Sequence, residues 1–210
     1  MRALAATCAL LTTFLFGVEA ALGQDVEIAG LAIELRPGAT LPIPCLTECT
    51  NPPPEAFSEF LVEAVLTDVV SAYAGYSVYV VPEGVEPENA SGFQAGLRFH
   101  TDNEGPLGAW ALGGVLVHRR TGHWTSPTTL ERMEVTSSLA AGVELGIGLE
   151  VRVGSIGPLR WALDPGFRYH AYTPRFDLTS VFGRGAERWP SETRFFVADI
   201  GLRMEWSRGT

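Results

Sequence analysis

Two groups of side chains in this sequence have types and spacings that could do chemistry. The first is a set of ionisable residues that recurs on one parity of successive segments: Glu34, Glu59, Glu63, Arg98, His100, Glu144, Glu150, Arg152, Arg160, Asp164, Arg168, His170, Asp199 and Arg203. Carboxylates and guanidinium groups in comparable numbers can pair with one another or line an aqueous path, and a histidine among them can act as an acid or base. The second group is Cys45 and Cys49, in the run Ile-Pro-Cys-Leu-Thr-Glu-Cys-Thr-Asn-Pro. An even pair in a chain that passes through an oxidising compartment is expected to form a local disulfide. A metal site would need further Cys or His ligands, and none lies nearby, so no metal or cofactor is expected.

Nucleophilic catalysis needs a nucleophile and a base within hydrogen-bond reach. His100 is followed by Thr101-Asp102 and His170 by Ala171-Tyr172, while His118 and His123 fall near a loop and read as exposed polar residues. There is no Gly-rich phosphate loop and no Gly-x-Ser-x-Gly elbow. The carboxylates of Asp102-Asn103-Glu104-Gly105-Pro106 could suggest calcium, but the same residue types make turns, and a turn is the reading taken. No catalytic residue is assigned.

The elements that must hold the charged set are strands. In the last of them Phe196, Ala198, Ile200, Leu202, Met204 and Trp206 share one parity, while Phe195, Val197, Asp199, Gly201, Arg203 and Glu205 share the other. A strand puts alternate side chains on opposite faces, so this segment has one apolar and one wet face. The pattern recurs in eight segments, at 26–36, 56–66, 69–81, 92–101, 108–121, 132–153, 159–173 and 194–206. Within 56–66 the apolar residues also fit a helical period, and 108–121 is apolar on both parities, with Trp110, Leu112 and Leu116 taken as outward. In 132–153 Val135, Leu139, Val143, Leu145, Ile147, Leu149 and Val151 share the apolar face. Pro165 removes one ladder donor and predicts a local irregularity in the wall.

Ahead of these strands, Arg2, the apolar run Ala3 to Val18 and the small residues Ala21 and Gly23 make a secretory signal, with cleavage expected before Gln24 and after Ala20 as the alternative. Residues 1–23 are thus read as a signal peptide and 24–210 as one domain. The net charge of −9, without a basic stripe, argues against a nucleic-acid partner. No run of 18 apolar residues follows the signal, yet 46% of the chain is hydrophobic, as a wall of alternating strands requires.

The connections at 67–68, 102–107 and 154–158 are short, whereas those at 37–55, 82–91, 122–131 and 174–191 are longer. In an eight-stranded up-and-down barrel all the short turns then fall on the side of both termini, as periplasmic turns do. The chain thus resembles the small outer-membrane barrels of the OmpA/OmpX type over residues 26–206, through pattern such as Gly142-Val143-Glu144-Leu145-Gly146-Ile147-Gly148-Leu149-Glu150-Val151-Arg152. The resemblance implies an all-β, eight-stranded antiparallel transmembrane barrel in the cell outer membrane. It also implies outer-membrane lipid around the wall and insertion by the outer-membrane assembly machinery, with a terminal aromatic residue as signal. Trp206 would serve, although Ser207-Arg208-Gly209-Thr210 follows it.

Trp110, Trp161 and Trp206 are expected in interfacial girdles, and the charged parity is expected to fill the bore of a monomer as a structural network. Three alternatives stay open: a soluble periplasmic lipocalin-like barrel, a small pore, and a lipid A-modifying enzyme. The deacylases among such enzymes carry a His-x-Ser pair that neither His100 nor His170 supplies. A surface-binding role would fall to the long loops, where Phe176, Phe182 and Trp189 accompany Arg184 and Arg188.

Overall fold

Alternation of apolar and polar residues dictates strands, and the strands are long. The computed structural model describes residues 28–42, 56–80, 89–101, 105–125, 132–176, 189–190 and 193–207. In chain order they form β1 (Gly30–Pro42), β2 (Ala56–Thr67), β3 (Val70–Val80), β4 (Asn89–His100), β5 (Leu107–Thr125), β6 (Arg132–Thr136), β7 (Ala140–Ile156), β8 (Leu159–Tyr172), β9 (Arg175–Phe176), β10 (Trp189–Pro190) and β11 (Thr193–Ser207). The helical alternative for the second segment is not adopted. Cys45, Cys49 and the signal segment lie outside the described residues.

Two tight turns have visible causes. Between β2 and β3 the Thr67 hydroxyl accepts from the amides of Val69 (3.3 Å) and Val70 (3.0 Å). Between β7 and β8 Gly157 takes a φ of 61°, a conformation that favours glycine.

Eight of the strands close a barrel. Neighbours pair antiparallel in the order β1, β2, β3, β4, β5, β7, β8, β11, and β11 returns to β1. Stepping across paired residues from Ala32 passes through Glu63, Tyr73, Gly96, Gly114, Glu144, His170 and Phe195 and arrives at Pro42. The circuit ends ten residues further along β1 than it began, which is the shear of the barrel. Eight strands with that stagger tilt by about 40–45° and leave a bore that side chains can fill.

The two faces are inverted relative to a water-soluble protein. Ile147 is 66% exposed, Phe167 58% and Ile200 56% on the outside, while Glu34, Glu63, Arg98, Glu144 and Asp164 are fully buried within. An apolar belt around a charged interior is stable only where the surrounding medium is apolar, and a closed wall leaves no backbone group of a strand edge unpaired in it.

Several expectations are corrected. Trp110, Leu112 and Leu116 face inward, and Ala111, Val115 and Val117 take the outside of β5. Because both parities are apolar, contacts inside the bore decide the facing. Val135 is buried although Leu139, on the same parity, is 61% exposed. Between the pairs His118–Ala140 and Thr121–Thr136, two residues of β5 oppose Ser137, Ser138 and Leu139. This bulge adds one residue and switches the face presented by β6. The Ser137 amide donates to the Arg120 carbonyl (2.8 Å), and the Ser137 hydroxyl accepts from the Arg120 amide (2.9 Å). β1 also runs on to Pro42 and β5 to Thr125, past the ends expected at 36 and 121.

Candidate functional site

Every barrel strand sends polar or aromatic side chains into the bore, and the inward parity brings most of the charged set together. At its centre Arg98 on β4 donates from Nη1 to Glu34 Oε2 and Glu63 Oε1, each at 2.8 Å, and from Nη2 to Asp164. Arg36 on β1 donates to Glu34, to Asp199 (Nε to Oδ1, 3.0 Å) and to the Asp164 carbonyl (3.1 Å). Arg168 on β8 reaches Asp199 and Glu144, each at 2.8 Å, and pairs with Glu59. Arg203 on β11 holds Glu63 (3.2 Å), lies 3.6 Å from Glu150, and continues to Glu205 (2.7 Å). The ion pairs therefore form one connected chain along the bore. Among the described residues it buries seven carboxylates (Glu34, Glu59, Glu63, Glu144, Glu150, Asp164, Asp199) and four guanidinium groups. All 15 basic residues of the protein are arginine, and none is lysine. The guanidinium fork is suited to such a network, because it can satisfy two or three carboxylates at once and is less strongly hydrated than an ammonium.

Trp110 is the floor beneath two of these arginines. The guanidinium carbons of Arg98 and Arg36 stand 4.6 and 4.9 Å from its ring centroid. The ring lies against Gly148 on β7 and Gly166 on β8, where any Cβ would collide with it. Its indole N–H donates to the Leu149 carbonyl at 3.1 Å. The Ala109 backbone bonds toward Thr101 and not toward its partner Leu149, so the Leu149 carbonyl is turned toward β8. Carried on by one residue from the Gly148–Gly166 pair, the register sets Pro165, which has no N–H, opposite it. Trp110 thus supplies the donor that the proline lacks, and the expected irregularity is repaired from inside the bore.

Toward the long-loop end the charges give way to rings. Tyr79 lies 5.1 Å from Phe57 and 5.0 Å from Phe195, and His118 lies 5.2 Å from Tyr172. His170 accepts or donates between the Tyr79 hydroxyl and Glu144 (3.2 Å), tying this layer to the ion pairs. His118, expected to be exposed, is fully buried, with Nε2 3.0 Å from the Ser77 hydroxyl. Arg36, Trp110, His118, Tyr73 and Tyr79 also belong to the network, beyond the charged set expected from the sequence. The inward parity of β1 and β3 is the signal that includes Arg36, Tyr73 and Tyr79, whereas β5, apolar on both parities, carries no such signal for Trp110 and His118.

Among the described residues the short-turn end is open. A cavity of about 810 Å³ is lined there by His100, Glu150, Arg152, Arg160, Arg203 and Glu205, among others. Arg160, expected in the buried network, is exposed at this rim, and the Arg152 side chain is 37% exposed while holding Glu150 at 2.8 Å. They flank the β7–β8 connection, Arg152 on β7 and Arg160 on β8, where the bore meets water. At the cavity floor His100 lies 3.2 Å from Glu150 through Nδ1 and 3.3 Å from the Ser71 hydroxyl through Nε2. This has the connectivity of a Ser–His–acid triad. Ser71 is nevertheless fully buried, and its hydroxyl is also 3.3 Å from a Glu63 oxygen. A carboxylate there would oppose the oxyanion that acyl transfer develops. Among the described residues no cluster suited to a metal ion is found.

An apolar belt, a closed tilted wall and an ion-paired bore define the chain as an eight-stranded transmembrane β-barrel. Its fold is that of the small eight-stranded outer-membrane barrels. Neisserial surface protein A superposes with a TM-score of 0.54 at 9% identity, over 85% of this chain and 96% of that one. A major outer membrane protein from Thermus thermophilus gives 0.48 at 12% identity, over 87% and 100%. The N-terminal β-barrel domain of Pseudomonas aeruginosa OprF gives 0.46 at 12%, over 85% and 98%. No protein-family model matches the sequence, and a comparison with curated proteins finds no match.

Proposed function

We propose that this chain is a monomeric outer-membrane barrel with a filled, non-conducting lumen, exported by its N-terminal signal, and that its role is structural or one of surface interaction. The observation that carries the reading is the connected chain of ion pairs from Glu205 to Glu144, capped by the His118–His170–Tyr79 ring layer. An eight-stranded bore has room for side chains and little else. Purified protein in planar bilayers is expected to give no steady conductance. Large stable channels would overturn the filled lumen and favour the pore.

Catalysis is not part of this reading, because the triad-like chain found among the described residues is buried against Glu63. Mass spectra of lipid A from cells with and without the protein should be identical, and a difference abolished by Ser71→Ala would reverse the assignment.

A surface role is supported by the way the wall is extended at the long-loop end. There β5 and β6 continue as a hairpin, while Ser137 bridges to Phe176 on β9, which pairs with β10. Deleting 174–191 should abolish attachment to a cell-surface partner while leaving the barrel inserted. Attachment that survives the deletion would return the role to a structural one.

A further inference from the structure

The bore holds more acid than base. Among the described residues it buries seven carboxylates against four guanidinium groups, and adding the rim residues Arg152 and Glu205 leaves that difference unchanged. A ring layer containing Phe57, Tyr79, Tyr172 and Phe195 stands between this set and the long-loop end. Unbalanced charge in a medium of low dielectric is too costly to persist, so something positive must accompany the excess carboxylates. No cluster of His, Cys, Asp or Glu among the described residues is suited to a metal ion. The remaining way to remove the charge is a proton.

The shortage is greatest in the layer next to the rings. There Arg36 and Arg168 serve Glu34, Glu59, Glu144 and Asp199, of which Glu34 alone has a further guanidinium, that of Arg98. Glu34, Glu63, Glu144, Glu150, Asp164 and Asp199 each accept at least one side-chain hydrogen bond. Glu59 accepts none at either oxygen, although its side chain is fully buried. Its ion pairs are with groups committed elsewhere. Arg168 Nη1 donates to Glu144 at 2.8 Å, and Arg36 Nε, 3.9 Å from Glu59, donates to Asp199 at 3.0 Å. The charged and titratable groups of this layer are Glu34 and Arg36 on β1, Tyr73 and Tyr79 on β3, Glu144 on β7, Arg168 and His170 on β8, and Asp199 on β11. His118 on β5 lies above them among the rings.

We propose that Glu59 is a proton site built into the bore: in the folded barrel it is the neutral acid, and the chain takes up this proton as it folds. In the unfolded chain the same carboxyl ionises at an ordinary value of about 4.3. From there up to the pH at which the folded Glu59 ionises, the folded state binds one proton more than the unfolded. The stabilisation is therefore complete below this window and is lost as the pH rises through it. Ionised Glu59 adds a negative charge beside Glu144 and Asp199, which share Arg168 with it. The plug is thus firm in mild acid and loosens toward alkali. The proposal rests on the reading of a filled, non-conducting lumen.

The test compares Glu59→Gln, which fixes the neutral form, with the wild-type chain in detergent micelles. Urea titrations followed by heat-modifiable gel mobility give the folding equilibrium constant of each. Between about pH 5.5 and 7 the wild-type constant divided by that of the variant should fall about tenfold per pH unit. Glu63→Gln, which alters a carboxylate held by Arg98 and Arg203, should destabilise the barrel and keep the wild-type pH slope. The infrared difference spectrum of wild type minus Glu59→Gln at neutral pH should contain the C=O band of a protonated carboxyl. Carboxylate bands in its place, a wild-type pH slope in Glu59→Gln, or failure of that variant to fold would each overturn the proposal. So would stability that follows sodium concentration at constant ionic strength, since a cation would then balance the charge. Steady conductance at neutral pH defeats the filled lumen beneath the proposal, whereas a non-conducting barrel without the acid band defeats only the proton site.

Discussion

Arg98 concentrates the energetics of the bore in one side chain. It is fully buried, holds Glu34, Glu63 and Asp164, and stacks over Trp110. Removing one partner of a buried ion pair leaves charge without compensation, at a cost of about 3–5 kcal/mol. Arg98→Met should therefore lower the unfolding free energy of the micelle-bound barrel by that amount in a urea titration followed by gel mobility. A loss below about 1 kcal/mol would mean that the network contributes little. Trp110 permits a sharper test, because its indole N–H serves the carbonyl that Pro165 leaves without a donor. Trp110→Phe should cost about 1–3 kcal/mol, the penalty for an unsatisfied buried acceptor. In a Pro165→Ala background the backbone N–H returns, so the same change should cost about 1 kcal/mol less. Equal costs in the two backgrounds would show that the carbonyl is satisfied in some other way. Neither residue's role is legible from its own position in the sequence. Pro165 announces a missing donor, but its repair comes from a strand that is two places away round the wall and apolar on both parities.

At the scale of elements, the glycines of β7 and β8 shape the wall around its contents. Gly148 and Gly166 leave a flat seat for the Trp110 ring, and a Cβ at Gly166 would come 2.6 Å from its Cη2. Gly166→Ala should cost about 1–3 kcal/mol through overpacking. Gly154, with nothing within 4 Å of its added Cβ, should accept alanine within about 0.5 kcal/mol. Matching losses at the two positions, in the same urea titration, would remove the seat as an explanation. The wall around these glycines is readable because the lipid-facing residues alternate without interruption from Val143 to Val151 in β7 and from Phe196 to Trp206 in β11. Inward facing of Asp199, Arg203, Arg168 and Glu144 follows from that alternation. The bulge at Ser137–Leu139 was not readable, since the apolar parity runs through it unchanged. Only the pairing with Arg119 and Arg120 reveals that Val135 has changed sides. Facing in β5 was likewise decided by its partners, through the glycine seat and the two guanidinium groups over Trp110.

For the whole molecule, one face of every barrel strand is committed to an apolar surround and the other to a bore filled with charged, polar and aromatic side chains, so the medium is part of the fold. Sequence parity alone leaves open which face is inside, because a soluble ligand-binding barrel shows the same alternation with the faces exchanged. The closed circuit and the burial of seven carboxylates resolve that choice. The consequence is a dependence on depth that a water-soluble barrel would not have. Ile147, at the middle of β7 and 66% exposed, should tolerate arginine poorly in a lipid bilayer, by about 2–4 kcal/mol, whereas Ile156, 76% exposed beside the β7–β8 turn, should lose only about 0–1 kcal/mol. Both substitutions add the same charge to side chains that touch little protein, so packing contributes almost equally to the two. Urea titrations of Ile147→Arg and Ile156→Arg in lipid vesicles measure the difference directly. If the two variants unfold at the same urea concentration, or if Ile147→Arg is the more stable, the belt around β7 is not in contact with hydrocarbon.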